Sequence, residues 1–392
     1  MIVLGLSSGT SADGIDVAAA DLHLEGDLVR LTPLGHDTTP YSPGLRRAIR
    51  DALPPAATTM EAVCRIDTGV GQEFAEAARH GCEEFAGGRA ALVASHGQTL
   101  FHWAEGSRVH GTLQLGQPAW IAEATGLPVV SDLRTADVAA GGQGAPLAAL
   151  LDTLLLAGRT EPAAALNLGG IANVTVVRDG SPPQAFDTGP ANALMDAAVH
   201  RVTGGRADVD SGGALARSGT PDADLLDHLL ADPYYALAPP KSTGLERFGP
   251  AHLDAALRKV RVPSDADLLA TLAELTAVTV ADALRPFAVA EVAASGGGVR
   301  NPVLMERLAA RLRPARLVTS NALGLDGDAK EAYLFALIGF LTWHGLAGSV
   351  PACTGARRAP VAGRLTPGTG PLRLPAPVTV APRRLHVEAP GP

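Results

Sequence analysis

The stretch that decides the fold is residues 2–22, IVLGLSSGTSADGIDVAAADL. Two apolar runs, residues 2–6 and 15–22, flank a polar turn that contains two glycines. Apolar runs joined by such a turn are typical of a β-hairpin. Glycines allow backbone N–H groups to approach an anion closely, and Ser and Thr hydroxyls add donors, so this turn is also a candidate phosphate loop. An elaborate surface turn is the alternative interpretation.

Two carboxylates lie in and beside this turn. Asp13 and Asp16 would repel a bare phosphate group. They suit a site in which a divalent cation lies between the carboxylates and the phosphate. If the turn binds phosphate, the sequence therefore predicts that a metal ion takes part.

The opening pattern returns at residues 163–177, AAALNLGGIANVTVV. It again reads as strand, glycine turn and strand. Two such hairpins, each beginning an α/β segment, predict a duplicated architecture with one phosphate-facing loop in each half. Since 392 residues exceed one ordinary core, two domains are also the expectation from length.

Composition excludes several classes of protein. A hydrophobic content of 46% with 18% charged residues indicates a soluble globular protein, and the net charge of −8 argues against a nucleic-acid partner. The N-terminal apolar run is too short for a signal peptide, and no segment reads as membrane-spanning. Cys64, Cys82 and Cys353 are scattered, which fits neither a disulfide framework nor a metal cluster and favours the reducing cytoplasm.

A histidine-containing segment is the first candidate for substrate binding. Residues 91–95 read as a short buried strand that runs into His96, Gln98 and Thr99, with His102 close behind. Because open α/β sheets bind ligands at the carboxyl ends of their strands, residues 95–102 are predicted to form a substrate-lining loop. A lone histidine is more often structural, which is the alternative for His96.

Arg134 is the second substrate candidate. Its planar guanidinium is suited to a carboxylate or a phosphate. The alternative is an ion pair between Arg134 and a neighbouring aspartate.

Two acidic residues are candidates for catalysis. Asp187, in FDTGPAN, is predicted at a turn between a strand and a helix that begins at Pro190, where a general base would be placed. Its alternative role is to help Thr188 cap that helix. Glu331, in DAKEA, shares a helix face with apolar residues and is predicted to point inward, where an acid usually has a task. A capping box between Asp328 and Glu331 is the alternative.

Residues 289–301 predict a nucleotide platform. A strand at 289–295 leads into Gly296, Gly297 and Gly298, and Asn301 with Pro302 forms a good start for a helix over residues 303–312. A strand, a run of glycines and a helix N-terminus give a flat backbone surface. A run of three glycines is by itself a weak signal.

Eight motifs follow one another along the chain: SGTSADGID, SHGQT, DLRTADVAAGGQGAPL, LNLGGIANVT, FDTGPAN, PPKSTG, GGGVRN and DAKEA. This series resembles the anhydro-N-acetylmuramic acid kinase family, from about residue 3 to about residue 368. The resemblance implies an α/β protein of the actin/hexokinase/Hsp70 superfamily, with two duplicated ribonuclease H-like domains and a nucleotide cleft between them. The expected domains are residues 1–160 and 161–370, followed by a Pro-rich tail over residues 371–392.

The resemblance also implies a reaction. Members of this family convert 1,6-anhydro-N-acetylmuramic acid, ATP and water to N-acetylmuramic acid 6-phosphate and ADP during peptidoglycan recycling. Asp187 matches the catalytic aspartate, and Glu331 is the expected orienter of Mg²⁺. A different sugar kinase or nucleotide hydrolase of the same fold is the alternative function, and a non-catalytic sugar sensor is the third. A homodimer is one assembly compatible with the sequence.

The resemblance assigns binding residues to three groups. The residues expected to bind the nucleotide are Gly9, Thr10, Ser11, Ala12, Asp13, Gly14, Ile15, Asp16, Asn167, Gly169, Gly170, Gly296, Gly297, Gly298 and Asn301. Those expected to bind the sugar are His96, Gln98, Thr99, Arg134 and Asp187. Glu331 is the expected residue at the metal.

Three positions depart from the family pattern: Ser7 replaces the usual methionine, Ala191 a glycine, and Leu245 an arginine. The first is expected to be harmless. Ala191 matters only if its backbone requires a positive φ. Arg247 is a candidate substitute for the arginine absent at Leu245.

Overall fold

The computed structural model of this chain describes residues 1–9, 11–106, 108–376 and 378–389. The chain divides into two compact units, Met1–Leu155 together with Gly324–Pro392, and Leu156–Leu323. Within the described ranges, no helix has the length and apolar character needed to span a bilayer.

The first part of the chain, which precedes the second unit, contains six strands and five helices among its described residues. They are β1 Ile2–Ser8, β2 Gly14–Glu25, β3 Leu28–Pro40, α1 Pro43–Ala52, α2 Met60–Glu84, β4 Leu92–Glu105, β5 Arg108–Leu115, α3 Pro118–Thr125, β6 Val129–Ser131, α4 Thr135–Ala139 and α5 Ala148–Leu156.

The middle of the chain, residues 156–323, provides the elements of the second unit. They are β7 Ala163–Leu168, β8 Ile171–Val177, β9 Gln184–Pro190, α6 Asn192–Thr203, α7 Ala214–Ser218, α8 Ala223–Leu230, α9 Pro250–Leu257, α10 Asp265–Leu284, β10 Glu291–Ser295, α11 Pro302–Arg311 and β11 Arg316–Thr319. The chain then returns to the first unit with α12 Lys330–Trp343, α13 Pro351–Thr354, β12 Arg364–Thr366 and β13 Arg384–Val387.

The two units contain sheets of the same topology. In the first, strands follow the order β3-β2-β1-β4-β6, and in the second the order is β9-β8-β7-β10-β11. In both sheets the first three strands are antiparallel, and the last two run parallel to the first strand of the unit. This is the strand order of the ribonuclease H-like fold, so the duplication predicted from the two hairpins is confirmed.

Strand β1 is buried on both faces, which explains its unbroken run of apolar residues. Val3 packs in the core on the side of α12, and Leu4 packs in the core on the side of α2. At Gly5 a Cβ atom would overlap the backbone carbonyl of Ala332 in α12. Glycine is therefore needed at this position because the helix backbone lies directly against the strand.

The domain boundary differs from the expectation at the C-terminal side. The sequence analysis placed residues 161–370 in one domain, but residues 324–370 lie in the first unit. The physical reason is α12, whose residues from Ala332 to Thr342 are all buried and which packs against β1, β2 and β4. An apolar helix of this kind needs cover on every side, and the first sheet provides part of it.

The Pro-rich tail contains a strand. Residues 371–392 were expected to be a Pro-rich tail, and within them β13 pairs in parallel with β3 at the edge of the first sheet. Leu385 is buried in the core of the same unit. Arg384 Nη2 lies 2.8 Å from Asp27 Oδ1, which fixes the strand beside the β2–β3 turn.

Candidate active site

Asp187 lies on β9, opposite Asn173 of β8. Its carboxylate Oδ2 accepts a hydrogen bond of 2.9 Å from the backbone N–H of Thr243. Its own backbone is held as well, because Asp187 N donates to Lys241 O at 3.0 Å and the Tyr234 hydroxyl donates to Asp187 O at 2.9 Å. The segment after Pro240 is therefore laid along β9 and fixes the orientation of the carboxylate.

The surroundings of Asp187 oppose its negative charge. Burial is the main cause that raises its pKa to about 6, and the negative charge of Glu246 adds to the effect, whereas the Thr243 N–H acts in the opposite direction. A carboxyl group with a pKa near 6 is largely ionised at neutral pH, yet it is a stronger base than an ordinary aspartate. Asp187 is thus suited to accept a proton.

The capping role considered for Asp187 and Thr188 is wrong. Strand β9 continues through Pro190, and α6 begins at Asn192 with Ala191 as its N-cap and no side-chain cap. The Thr188 hydroxyl lies 3.3 Å from Ala172 O instead. At Ala191 the φ angle is −115°, so this departure from the family pattern does not fall on a backbone that requires a positive φ.

The second glycine turn, at Gly169 and Gly170, is hydrogen-bonded to the start of α6. The carbonyl of Gly170 accepts from Ala191 N at 2.9 Å and from Ala193 N at 3.1 Å, and that of Gly169 accepts from Asn192 N at 3.0 Å. These bonds satisfy backbone donors at the start of the helix. The donors that would attract a phosphate at this helix are therefore already paired, and Gly169 and Gly170 shape the turn around them.

The triple-glycine segment lies against the end of β7. Gly296 has a φ of +85°, and a Cβ atom there would lie 2.5 Å from Asn167 Oδ1. The positive φ and the close contact both explain why glycine occupies this position. Asn301 caps α11, since its Oδ1 accepts from Val303 N at 3.1 Å and from Leu304 N at 3.2 Å. The predicted start of this helix is confirmed, and the Asn301 side chain is used as its cap.

The opening turn lies between β1 and β2, where it was predicted. Of its residues, Thr10 lies outside the part of the chain that the structure describes. Ser8 Oγ lies 2.7 Å from Gln98 Oε1 and 2.8 Å from Gly14 O, and Gln98 Nε2 donates to Gly9 O at 3.2 Å. Gln98 is fully buried. The side chain that was expected to bind the sugar therefore holds the turn between β1 and β2.

The two aspartates of the opening segment have different environments. Asp13 pairs with Arg46 and lies 3.3 Å from Arg50 Nη2, so two arginines of α1 are brought beside the turn. Asp16 Oδ1 accepts a bond of 2.7 Å from the Thr38 hydroxyl. Burial is the main cause that raises the Asp16 pKa, and the negative charge of Asp328 raises it further.

Arg134 is held from two sides. Its Nε donates to His96 Nε2 at 2.8 Å, and its Nη1 donates to Gly144 O at 2.7 Å. Among the described residues, Arg134 makes no ion pair with a neighbouring aspartate, so that alternative is wrong. Burial lowers the Arg134 pKa, and the charge of Glu331 opposes this effect.

His96 is a structural partner of Arg134. Burial and the positive charge of Arg134 lower its pKa to about 3, so the ring stays neutral. Since Nε2 accepts from Arg134, the proton is on Nδ1, which lies 3.0 Å from Gly97 O. The ring stacks on Phe335 with centroids 4.5 Å apart. His96 therefore orients Arg134 and cannot exchange protons near neutral pH.

The SHGQT segment is part of a strand. Residues 95–102 were expected to form a loop. Strand β4 instead continues to Glu105, because its second half pairs with β5 in an antiparallel hairpin. Thr99 Oγ1 accepts from Gln114 Nε2 of β5 at 3.2 Å. A pocket of about 320 Å³ lies beside this hairpin and is lined by Ser95, His96, Gln114, Ser131 and Asp132, among others.

Glu331 lies in the first turn of α12, whose N-cap Ala329 makes no side-chain bond. The capping box with Asp328 is therefore not formed. Glu331 retains solvent exposure, so the prediction that it points inward is wrong. Protein atoms nevertheless surround its carboxylate and remove part of its hydration, and this desolvation is the main cause that raises its pKa. The positive charge of Arg134 lowers this pKa, and the negative charge of Asp16 raises it. The charges of Asp16 and Arg134 thus both act on Glu331, in opposite directions.

Sequence reasoning missed several residues at these sites. Arg46 and Arg50, which contact Asp13 of the opening turn, belong to no motif, and their only sequence signal is a spacing of one helical turn. Thr243 lies in the PPKSTG motif, but it contacts Asp187 through its backbone N–H, which the residue type does not signal. Arg247 was considered as a substitute for the family's arginine, but it lies 2.5 Å from Asp232 Oδ1 and above the Tyr234 ring.

Comparison with known proteins gives a consistent result. The sequence profile described as anhydro-N-acetylmuramic acid kinase matches residues 1–368. Three relatives carry that name: one from Streptomyces coelicolor, 59% identical over 387 residues, covering 99% of each chain; one from Streptomyces avermitilis, 58% identical over 388 residues, covering 99% of this chain and 100% of the relative; and one from Rhodococcus erythropolis, 55% identical over 396 residues, covering 99% and 100%. With the duplicated fold and the motifs in place, the chain belongs to the anhydro-N-acetylmuramic acid kinase family.

Proposed function

We propose that this chain is an ATP-dependent kinase that opens 1,6-anhydro-N-acetylmuramic acid with water and phosphorylates its 6-oxygen. The products are N-acetylmuramic acid 6-phosphate and ADP. Membership of the family supports the reaction class. The observation that carries the mechanism is Asp187, a fixed carboxylate whose pKa is raised to about 6.

The substrate requires a base that acts on water. The 6-oxygen of the anhydro sugar is bonded to C1, so it has no proton to lose. A water molecule forms the new bond to C1 as the bond between C1 and the 6-oxygen breaks. The 6-oxygen takes the γ-phosphoryl group, and the bond to the β-phosphate of ATP breaks.

Asp187 is the residue proposed to accept the proton of that water. Its Oδ2 is occupied by the Thr243 N–H, and Oδ1 has no hydrogen-bond partner within the described ranges. One carboxylate oxygen therefore fixes the orientation while the other is available for water. Positioned base catalysis contributes about 10²–10⁴-fold to a rate.

ATP is proposed to bind to the glycine turn at residues 9–16 and to the triple-glycine segment at residues 296–298. The turn at residues 9–16 supports the phosphates, with Arg46 and Arg50 adding positive charge beside it. The triple-glycine segment is not flat as expected but forms a 3₁₀ turn, Gly297–Arg300, and this turn, with Asn167 against Gly296, is the proposed adenosine side.

The acidic residues of the first unit fit Mg²⁺. The negative charge of Asp16 raises the pKa of Glu331, and that of Asp328 raises the pKa of Asp16, so a divalent cation would relieve the repulsion between these carboxylates. Mg²⁺ in such sites is usually held by one or two carboxylates, with waters and phosphate oxygens completing the shell. No cluster of three or more metal-ligating side chains occurs in the described part of the chain, which agrees with a cation bound mainly through nucleotide and water. When bound, the cation would neutralise phosphate charge.

Arg134 is proposed to bind the carboxylate of the sugar's lactyl ether. Neutral His96 and the Gly144 carbonyl hold its Nε and Nη1, and Nη2 makes no hydrogen bond to the described residues. A guanidinium held in this way can offer its remaining donors to a carboxylate with little loss of side-chain entropy. Thr99 is proposed to line the same sugar site from β4.

The test is product analysis after incubation with ATP, Mg²⁺ and the anhydro sugar. We expect ADP and a phosphomonoester whose phosphorus couples to the two protons on C6 in nuclear magnetic resonance spectra. N-acetylmuramic acid with an ordinary 6-hydroxyl is the matched control and should react more slowly. Equal reaction of the control would favour another sugar kinase, and release of inorganic phosphate alone would favour a nucleotide hydrolase.

A further inference from the structure

Asp137 is a buried carboxylate that the proposed mechanism does not use. It lies on α4, it is 2% exposed, and it accepts three hydrogen bonds. Oδ1 accepts from Ser349 Oγ at 2.7 Å and from Thr354 Oγ1 at 2.8 Å. Oδ2 accepts from the backbone N–H of Gly144 at 2.8 Å. Each oxygen of this buried group is thus satisfied, as burial of a charge requires.

The bond to Gly144 continues to Arg134. Gly144 donates its N–H to Asp137, and its carbonyl accepts from Arg134 Nη1 at 2.7 Å. Asp137 and Arg134 are therefore joined through one peptide residue. His96 fixes the other edge of the guanidinium at 2.8 Å. The position of the Gly144 carbonyl consequently decides where Arg134 presents its free donors.

The glycine pattern of this loop fits the same arrangement. A Cβ atom on Gly142 would collide with Asp137 Oδ2. Gly144 has a φ of +66°, and a Cβ atom there would lie 2.9 Å from Val138 Cγ2 and 3.4 Å from Arg134 Cβ. The loop therefore approaches the carboxylate as closely as its backbone allows.

We propose that Asp137 is a positioning residue that sets the enzyme's preference for the carboxylate-bearing sugar by holding the Gly144 carbonyl against Arg134. This inference rests on the proposed function, in which Arg134 binds the lactyl carboxylate. Asp137 touches no substrate. It acts through Arg134 alone. The property that it affects is the enzyme's discrimination between a sugar with the lactyl ether and one without it.

The chemistry of the three donors provides a sharp test. Asn at position 137 can keep its carbonyl oxygen on the Gly144 N–H, because the Ser349 and Thr354 hydroxyls can rotate and accept from the new amide. Alanine removes every acceptor. Asp137→Asn should therefore retain the preference, and Asp137→Ala should lose it.

The measured quantity is the ratio of kcat/KM for 1,6-anhydro-N-acetylmuramic acid to that for 1,6-anhydro-N-acetylglucosamine, which lacks the lactyl ether. A hydrogen bond to a charged group contributes about tenfold to hundredfold in such ratios. We expect Asp137→Ala to lower the ratio by that amount, because kcat/KM should fall for the acidic sugar and stay unchanged for the sugar without the lactyl ether. Asp137→Asn should restore it to near the wild-type value.

Two further variants separate this role from general stability. Ser349→Ala removes one donor to Asp137 without touching the Gly144 bond, so it should lower the melting temperature and leave the ratio unchanged. Gly144→Ala shifts the carbonyl while Asp137 stays intact, and it should lower the ratio even if Asp137→Ala fails to fold. Retention of the wild-type ratio by folded Asp137→Ala, or by folded Gly144→Ala, would overturn the inference.

Arg134→Lys distinguishes this failure from failure of the proposed function. Lysine cannot make the paired bonds to His96 and Gly144, so the ratio should fall. If Arg134→Lys keeps the ratio, the carboxylate role of Arg134 is wrong. If Arg134→Lys loses the ratio while Asp137→Ala and Gly144→Ala keep it, only the positioning role of Asp137 is wrong.

Discussion

Asp187 is a carboxylate in surroundings that disfavour its charge. Its folded-state pKa, about 6, lies above the ordinary value of 3.8. A raised carboxyl pKa stabilises the fold below the ordinary pKa, and this stabilisation is lost as pH rises through about 6. At neutral pH the ionised group is therefore unfavourable for folding, as expected of a carboxylate with the proposed catalytic role.

The first prediction concerns Asp187→Asn. We expect loss of turnover with nearly unchanged ATP binding, because the base is removed and the Thr243 N–H keeps an acceptor. The melting temperature at pH 7.5 should be no lower than that of wild type, since the unfavourable charge is gone. Calorimetric titration with an unreactive ATP analogue and thermal melts check both points, and substantial remaining activity would refute the assignment of the base.

The second prediction is the pH dependence of wild-type turnover. The base must be ionised, so kcat/KM should fall tenfold per pH unit below about 6. His96 cannot cause this change, because its pKa of about 3 keeps it neutral throughout the range. Rates from pH 5 to 8 measure the midpoint. A midpoint near 4, typical of an exposed aspartate, would contradict the raised pKa.

The third prediction concerns Glu331→Gln. Loss of a helix cap would cost about 0.5–2 kcal/mol of stability and spare the activity. The structure shows no cap at this residue, so we expect an unchanged melting temperature and at least a tenfold lower kcat. Parallel melts and rate measurements separate the two outcomes. Asp328→Asn is a useful comparison, because it alters a neighbouring charge at the same turn.

At the scale of elements, helix α12 both packs against the first sheet and carries Glu331. The helix brings Glu331 to the surface at its N-terminus while its remaining turns are buried. Lys330 anchors this end through an ion pair with Asp152, with Nζ 2.6 Å from Oδ1. The buried body and the anchored end together fix the position of Glu331.

The fourth prediction tests the contact between α12 and β1. In Gly5→Ala the added methyl group overlaps the Ala332 carbonyl, and the helix must move. Overpacking of this kind costs about 1–3 kcal/mol, and the moved helix should also lower kcat. Urea unfolding and rate measurements check it. Ala18→Gly, at a neighbouring buried strand position, is the comparison in which stability falls without a clash.

The sequence predicted some elements better than others. The two hairpins were predictable because their apolar runs and glycine turns are local signals. The extension of β4 through SHGQT was not, because it depends on pairing with β5. The continuation of β9 through Pro190 was also missed, since proline usually marks the end of a strand.

The candidate site shows the same division. The sequence singled out Asp187, Glu331 and Arg134 because acidic and arginine side chains indicate their chemistry by residue type. The roles of Gln98 and His96 could not, because a side chain that braces a loop and one that contacts a ligand look alike in sequence. Asp137 was overlooked for a related reason: its three donors come from distant parts of the chain.

At the scale of the whole molecule, the first unit is discontinuous. Its sheet is completed by β12 and β13, which follow the whole of the second unit in the chain. Strand β13 covers the β3 edge and contributes Leu385 to the core. An uncovered edge strand is a site for unwanted pairing between molecules.

The fifth prediction is the effect of truncation after residue 370. Removal of β13 should lower the melting temperature and promote aggregation, because Leu385 and the β3 edge lose their partners. Scanning calorimetry and light scattering measure these effects. Leu385→Ala in the full chain is the matched control, which should lose stability without exposing the strand edge. A truncated chain as stable and as soluble as the full one would show that β13 contributes nothing.

The late position of α12 has a consequence for protein synthesis. The ribosome makes β1, β2 and β4 first, but the helix that covers one of their faces follows only after the second unit has been translated. The second unit is contiguous and has its own core, so it can fold while the first is still incomplete. Throughout that interval the apolar residues of β1 on the α12 side lack their partner. We therefore expect the nascent chain to be most prone to aggregation between the emergence of β4 and that of α12.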